Sequence, residues 1–597
     1  MEKTIRPVIY QLLIRTFGNN QSQGEVGGTI EQNGCGKFVD INESALESIA
    51  QMGFNHVWLT GVIEQASGTD YPNRPADSPD ILKGRAGSPY AIRDYFDVCP
   101  DYAVDPSNRI EEFRKLLSRC HEVGLRVIID FVPNHVARSY GSDVKPEDSF
   151  GEGDDTEVFF DYDNHFFYLD HSSQGSGPPL KLPTSHLAGC TGKFELEAAI
   201  GRVTGNNSNT WEPSIHDWYE TVKLNYGHDF TKGRNTEHLP SMDAGLEEVP
   251  KTWRTMDKIL CYWQEMGVDG FRADMAHMVP MEFWRWLVSR ARARDPKVFF
   301  GAEAYDSDPA KLTDCDVIEE LCEAGFNGAY EHPTYKILQG IYEDGKWAND
   351  LDQTIFSGDQ FHQCIRYLEN HDEVRIANPQ HWGGWGMNVG RPAAGVMFGM
   401  SRASLMLYSG QDVGEPAIGE EGFSGDDGRT SIFDYTSMPE FQKWVNEGKY
   451  DGGRLSQKQR ELRNWYVDLF AILREDAFTQ GDFFGLNYFN RENPRFGRLP
   501  GETVSGHWVY AFLRSDSKRN QAFLCVVNFH PEIAMDNLSI EVPKGGLDFI
   551  GRGESDELSI IGRFGSDANW TASRSTMIAG LDIGSLVPCG VCYFELN

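Results

Sequence analysis

The sequence predicts an α/β fold: a (β/α)8 TIM barrel with an inserted subdomain after strand 3 and a C-terminal antiparallel β-sandwich domain. Three observations carry this. From residue 8 onward, eight short β-branched or aromatic runs alternate with amphipathic helical stretches, and eight is the number that closes a barrel. A long segment rich in Gly, Asp, Asn and Ser, about 136–245, follows the third run. Compact domains do not carry unstructured loops of that length, so it predicts a small subdomain over one barrel end. After about 480 the helical patterns stop and apolar alternation takes over. The predicted organisation is a barrel from 1–135 and 246–480, a subdomain at 136–245 and a β-sandwich at 481–597.

The eight strand candidates are VIYQLLIRTF (8–17), HVWLTG (56–61), RVIIDFV (126–132), VDGFRAD (268–274), VFFGAEAY (298–305), FNGAYE (326–331), CIRYLEN (364–370) and SLMLYSG (404–410). Between them, 42–53 starts with an Asn cap and ends on Gly. The stretch 110–124 has apolar residues at helical spacing and also stops at Gly, and 280–295 opens with Pro, as a first helical turn allows. HWVYAFLR (507–514), QAFLCVVNF (521–529), LSIEVP (538–543) and VCYFELN (591–597) are the predicted strands of the last domain.

Composition excludes several function classes. The chain has 597 residues, 40% hydrophobic and 24% charged, the balance of an ordinary globular protein. A formal net charge of −34 argues against nucleic acid and anionic membranes, which need basic faces. It suits a neutral substrate, and 14 Trp and 23 Tyr suit a sugar, whose C–H faces stack on rings. The opening MEKTIRPV lacks the apolar stretch of a secretory signal, and no apolar run is long enough to cross a bilayer, so a cytoplasmic location is expected. Eleven cysteines without a framework predict reduced thiols, and the Cys589/Cys592 pair, in an apolar run with no second pair, predicts strand packing.

In such a barrel, functional side chains sit at the C-terminal ends of strands. Those ends carry Asp130, Asn134 and His135 after strand 3, Arg272 and Asp274 on strand 4, Glu303 on strand 5, and Asn370, His371 and Asp372 on strand 7. Three acids from three strands would converge on one mouth, and the two-residue spacing points Arg272 and Asp274 the same way. Cleaving an acetal needs one protonated carboxyl at the leaving oxygen and one carboxylate at the anomeric carbon. Arg272 is expected to keep Asp274 ionised, and the apolar run around Glu303 to keep that acid protonated. Taken singly, each residue has a bland reading as a cap or a satisfied structural histidine. The argument rests on their order and joint occurrence.

DFVPNH (130–135), GFRADMAH (270–277), AEAY (302–305) and ENHDE (369–373) resemble the four ordered signature regions of the α-amylase family, glycoside hydrolase family 13. LPSMD (239–243), VWLTGVIE (57–64) and SPYAIRDY (88–95) resemble its further motifs, so the resemblance spans about residues 8–480. It implies a retaining α-glucan-active glycosidase with Asp274 as nucleophile, Glu303 as acid/base and Asp372 as the third acid. It further implies Arg272 as the partner of the nucleophile, His135 and His371 as hydrogen-bonding the sugar in the cleavage subsite, Tyr90 as its stacking ring and Asp130 as a buried organiser. The partner is then an oligosaccharide or polysaccharide, and no cofactor is required for the chemistry.

The pattern departs in three places. Many starch-cleaving members carry Lys-His after the nucleophile, where this chain has His277 and Met278; DMAHMVPMEFW (274–284) is closer to the maltosyltransferases of the family. His277 is therefore included among the substrate-binding candidates, and maltosyl or glucan transfer stays open beside hydrolysis of α-1,4 bonds. Ala91 stands where exo-acting glucosidases place an aspartate, which favours malto-oligosaccharides over sucrose or isomaltose. Asn134 matches a residue that ligates calcium in many amylases, yet no DxDxDG-type loop is present, so no metal ligand is assigned and a structural calcium stays open. A non-catalytic sugar-binding protein is the third reading, and the presence of all three acids weighs against it. Trp211, Trp218 and Tyr219 in the insert are read as subdomain core before a sugar platform.

Overall fold

A computed structural model describes residues 6–21, 24–169, 180–185, 187–197, 200–355, 359–419 and 425–597. Part of the opening stretch read for a signal, residues 1–5, lies outside them, as do 170–179, 186 and 198–199 of the insert.

Eight parallel strands close a barrel: β1 (Val8–Leu13), β2 (His56–Thr60), β3 (Arg126–Phe131), β4 (Gly270–Ala273), β5 (Phe299–Ala302), β6 (Gly328–Tyr330), β7 (Cys364–Arg366) and β8 (Ser404–Tyr408). Each pairs with its chain neighbour, and β8 pairs back with β1, Ile9 opposite Met406. All eight sequence candidates are barrel strands. The first run is longer than its strand, because Ile14–Phe17 forms a helical turn whose residues are also buried. β6 has the weakest sequence signal for a physical reason. A Cβ at Gly328 would come within 2.8 Å of the Cys364 backbone, so the strand carries a residue of low β-propensity where neighbouring backbone is close.

The outer helices follow their sequence signals. Asn42 caps helix Glu43–Met52 by accepting from the Ala45 amide, and Gly53 ends it in the left-handed region at φ 117°. Helix Arg109–Glu122 buries Phe113, Leu116, Leu117 and Cys120 along one stripe. Helix Met281–Arg294 starts one residue later than expected, with Pro280 at the N-cap.

The insert after β3 opens with strand His135–Ala137, which pairs antiparallel with Thr221–Lys223. Phe167, Leu169, Leu182, Val203 and Tyr219 form a small core with Ile81 from the loop after β2.

The C-terminal region is a six-stranded antiparallel sheet against a two-stranded one. Alternation along β9 (Val509–Asp516) sets its two faces. Val509, Ala511 and Leu513 pack with Leu538, Ile540 and Leu581 of the small sheet, while Tyr510 and Phe512 join the barrel core. Three short helices, Asn487–Asn490, Lys544–Phe549 and Arg574–Gly580, interrupt a region expected to lack helices. At four to seven residues they are too short to display a helical period. All eleven cysteines are free, and Cys589 and Cys592 are both buried in packing. Among the described residues, no helix is long and apolar enough to cross a membrane.

Candidate active site

The ladder of the barrel continues just past the strand ends and places the acids. The Asp274 amide donates to the Phe131 carbonyl, and the Glu303 amide to the Ala273 carbonyl, both at 2.9 Å. Each acid is thereby carried on rigid backbone, one residue beyond β4 or β5. Asp372 follows β7 in a turn where Asn370 Oδ1 accepts from the Asp372 and Glu373 amides, and Arg429 Nε donates to the Asp372 carbonyl.

Arg272 organises the centre. Its Nη1 donates to Asp274 Oδ1 at 2.6 Å and its Nη2 to Glu303 Oε2 at 2.7 Å, while Asp130 Oδ1 lies 3.5 Å from Nη1. Tyr330 OH accepts from Nε at 3.2 Å, and the rings of Trp58 and Tyr90 flank the guanidinium. Three carboxyl groups thus share one buried cation. Replacing Arg272 with Met should lower unfolding stability by about 3–5 kcal/mol, because it strands buried charges. Denaturant unfolding of the variant checks this, and wild-type stability would refute it.

A cavity of about 920 Å³ opens over the centre, lined by Tyr90, His135, Asp274, Glu303, Asp372 and Trp218 among others. That volume accommodates a short oligosaccharide. Tyr90 lies against the His371 ring, centroids 5.2 Å apart, and its hydroxyl bonds His371 Nε2. Asp130, Arg272 and His371 lie just behind the cavity wall. Asp130 accepts from Trp58 Nε1 at 3.2 Å and the Gly61 amide at 2.8 Å, and Gln11 Nε2 meets His371 Nδ1 at 2.9 Å. His277 is not brought to the cavity. It is fully buried, with Nε2 2.9 Å from Asp308 Oδ2, so its contact with a sugar is not supported by this arrangement.

Burial pushes the Glu303 carboxyl up to about 7; Arg272 opposes this, and Asp274 and Asp372 add to it. Burial raises the Asp274 carboxyl too, and Arg272 offsets that burial in part. A hydrogen bond from Glu303 opposes it as well. A proton held on Glu303 therefore stabilises the anion on Asp274. At Asp372 burial also raises the carboxyl, but His371, Arg272 and Arg429 outweigh it and the net shift is downward. Burial, then Lys223 and Lys83, push His135 down to about 3, which makes it a neutral imidazole.

Sequence reasoning missed the groups that orient these residues: Gln11, Trp58, Tyr330 and Tyr305, whose hydroxyl donates to Glu303 Oε1 at 3.2 Å. Tyr305 stands two residues after Glu303 and so was within reach of the strand period; the others come from separate strands. Trp218 packs on His135, centroids 5.2 Å apart, and faces the cavity, whereas Tyr219 belongs chiefly to the subdomain core.

Calcium does not fit at Asn134. Its Oδ1 accepts from Lys223 Nζ at 2.6 Å, so the oxygen a divalent ion would need is already engaged by a buried donor. Among the described residues, no group of three or more His, Cys, Asp or Glu is placed to hold a metal.

Residues 15–299 match the α-amylase catalytic domain. This catalytic domain belongs to the α-amylase family. An α-amylase of Dictyoglomus thermophilum is 22% identical over 418 residues, covering 68% of this chain and 55% of that protein. The chain thus spans about half the length of the curated relatives it matches over most of its own. A Pseudomonas aeruginosa α-1,4-glucan:maltose-1-phosphate maltosyltransferase is 30% identical over 125 residues, 21% of this chain and 18% of that one. Among solved structures, a maltogenic α-amylase from Thermotoga neapolitana superposes with TM-score 0.56 at 18% identity, covering 99% of both chains. At that identity the likeness speaks to the fold alone.

Proposed function

We propose that this chain is a retaining α-glucan-active glycoside hydrolase that cleaves α-1,4 bonds of malto-oligosaccharides through a covalent glycosyl-enzyme. The observation that carries the reading is the pair Asp274 and Glu303, held on two nitrogens of one guanidinium at the floor of a sugar-sized cavity. Arg272 holds the two carboxyls at 2.6 and 2.7 Å from its two terminal nitrogens, a proximity that fits the short separation of retaining pairs, about 5 Å. Glu303, protonated up to about pH 7, gives its proton to the leaving glycosidic oxygen while Asp274 attacks the anomeric carbon. Glu303, now ionised, then takes a proton from water, which displaces Asp274 from the sugar. Asp372 binds sugar hydroxyls, Tyr90 stacks beneath the ring and His135 donates to it, while His371, behind the wall, holds Tyr90 and Asp372 in place. Asp130 and Arg272 act from behind by fixing these groups.

A second reading, transfer of a maltosyl or longer glucan unit to a sugar or phosphate acceptor, draws on the maltosyltransferase similarity and needs the same acids. Product analysis of maltoheptaose, with and without added maltose, separates the two. Short maltosaccharides alone are expected; products longer than the input would replace hydrolysis by transfer.

A further inference from the structure

The strand that closes the insert places a lysine against the barrel's third strand end. In the pairing of His135–Ala137 with Thr221–Lys223, Lys223 stands opposite His135, and the next residue, Leu224, donates its amide to the Asn134 carbonyl at 2.9 Å. The Lys223 side chain is buried at 3% exposure, with its terminal nitrogen over the Phe230 ring at 5.6 Å. Its Nζ donates to Asn134 Oδ1 at 2.6 Å. On the other end of the same amide, Asn134 Nδ2 donates to the Gly205 carbonyl at 2.8 Å and faces His135 Nδ1 at 3.0 Å.

These partners leave the amide one orientation. Turned over, it would set its NH2 against the lysine nitrogen and its oxygen against a carbonyl. With the amide so fixed, its second N–H meets His135 Nδ1, which must accept. The ring proton then resides on Nε2, the nitrogen directed at Asp274 Oδ2, 4.0 Å away.

We propose that Lys223 is a positioning residue: its buried terminal nitrogen serves as a built-in donor that orients Asn134, and through it fixes His135 as the Nε2–H tautomer facing Asp274. The lysine nitrogen takes the place at Asn134 that a metal ion would otherwise claim, so the inserted subdomain and the cleavage centre are tied by a tethered donor. The catalytic weight of this arrangement rests on the glycosidase reading above; the tautomer does not.

The test reads His135 directly, by 15N NMR of histidine-labelled protein without substrate, with assignment by a His135→Gln variant. Wild type is expected to show the Nε2–H tautomer. Lys223→Met removes one of the two partners that orient the amide and should yield a mixture of tautomers, with kcat lowered about 10- to 100-fold and KM changed far less. Asn134→Asp keeps an oxygen acceptor for Lys223 but turns the donor facing His135 into an acceptor. There His135 should switch to the Nδ1–H form, which decides the matter even where Lys223→Met does not fold. An unchanged tautomer in Asn134→Asp overturns the proposal. So does a wild-type melting temperature raised by calcium and no longer raised in Asn134→Ala, because the amide oxygen would then hold metal instead of Lys223. Altered tautomers in a protein inactive on every glucan would leave the inference standing and remove the glycosidase reading.

Discussion

Asp274→Asn should abolish turnover, with kcat/KM on maltoheptaose falling on the order of 10⁴-fold or more. The amide keeps the shape of the side chain and one acceptor for Arg272 Nη1, which the carboxylate meets at 2.6 Å, so the fold should survive. What is lost is the anion that forms the bond to the anomeric carbon. Near-ultraviolet circular dichroism and a melting curve close to wild type would show that the loss is chemical. Wild type treated with a slow fluorosugar donor should gain the mass of one glycosyl unit on the peptide bearing Asp274, and the variant should gain none. A variant that keeps a tenth of its activity, or a label on another residue, would remove Asp274 from the nucleophile's role.

Glu303→Gln should lower kcat by about 10²- to 10⁴-fold on natural glucans, the usual worth of a positioned proton donor. A glycosyl fluoride, whose leaving group needs no proton, should recover most of the first step. The pH dependence follows from the sign of the shift. Burial raises Glu303 to about 7, and the protonated form is the one that works, so wild-type activity holds below that value and falls as pH rises through it. The acid limb is set by protonation of Asp274, also raised by burial. In Glu303→Gln the alkaline limb should vanish. If it persists at the same pH, another group supplies the proton.

Both predictions concern residues whose positions in the chain could be found before the fold was known. The barrel strands are buried runs bounded by turn residues, and the acids stand at or just after their ends, so strand period and order suffice to place Asp274 beside Arg272. His277 shows the limit of that reasoning. It sits in the same segment as Asp274, yet the turn after β4 sends it into the core against Asp308 instead of into the cavity. A local motif records which residues are near one another in the chain, but not which way the backbone turns beyond the strand.

By itself, the sequence determined the eight strands, the capped helices and the places of Asp274 and Glu303 just past their strands, because each depends on short-range periodicity or on a residue's place at a strand end. Tertiary structure alone decided what surrounds those acids. Arg272 meets Glu303 across 31 residues, Tyr90 meets His371 across 281, and Lys223 meets Asn134 across 89. The upward shift of Asp274 was likewise hidden, since it depends on how completely the closed barrel and its insert exclude water. Contacts of this kind are set by barrel closure and by the return of the insert onto the third strand, and no local pattern in the chain encodes them.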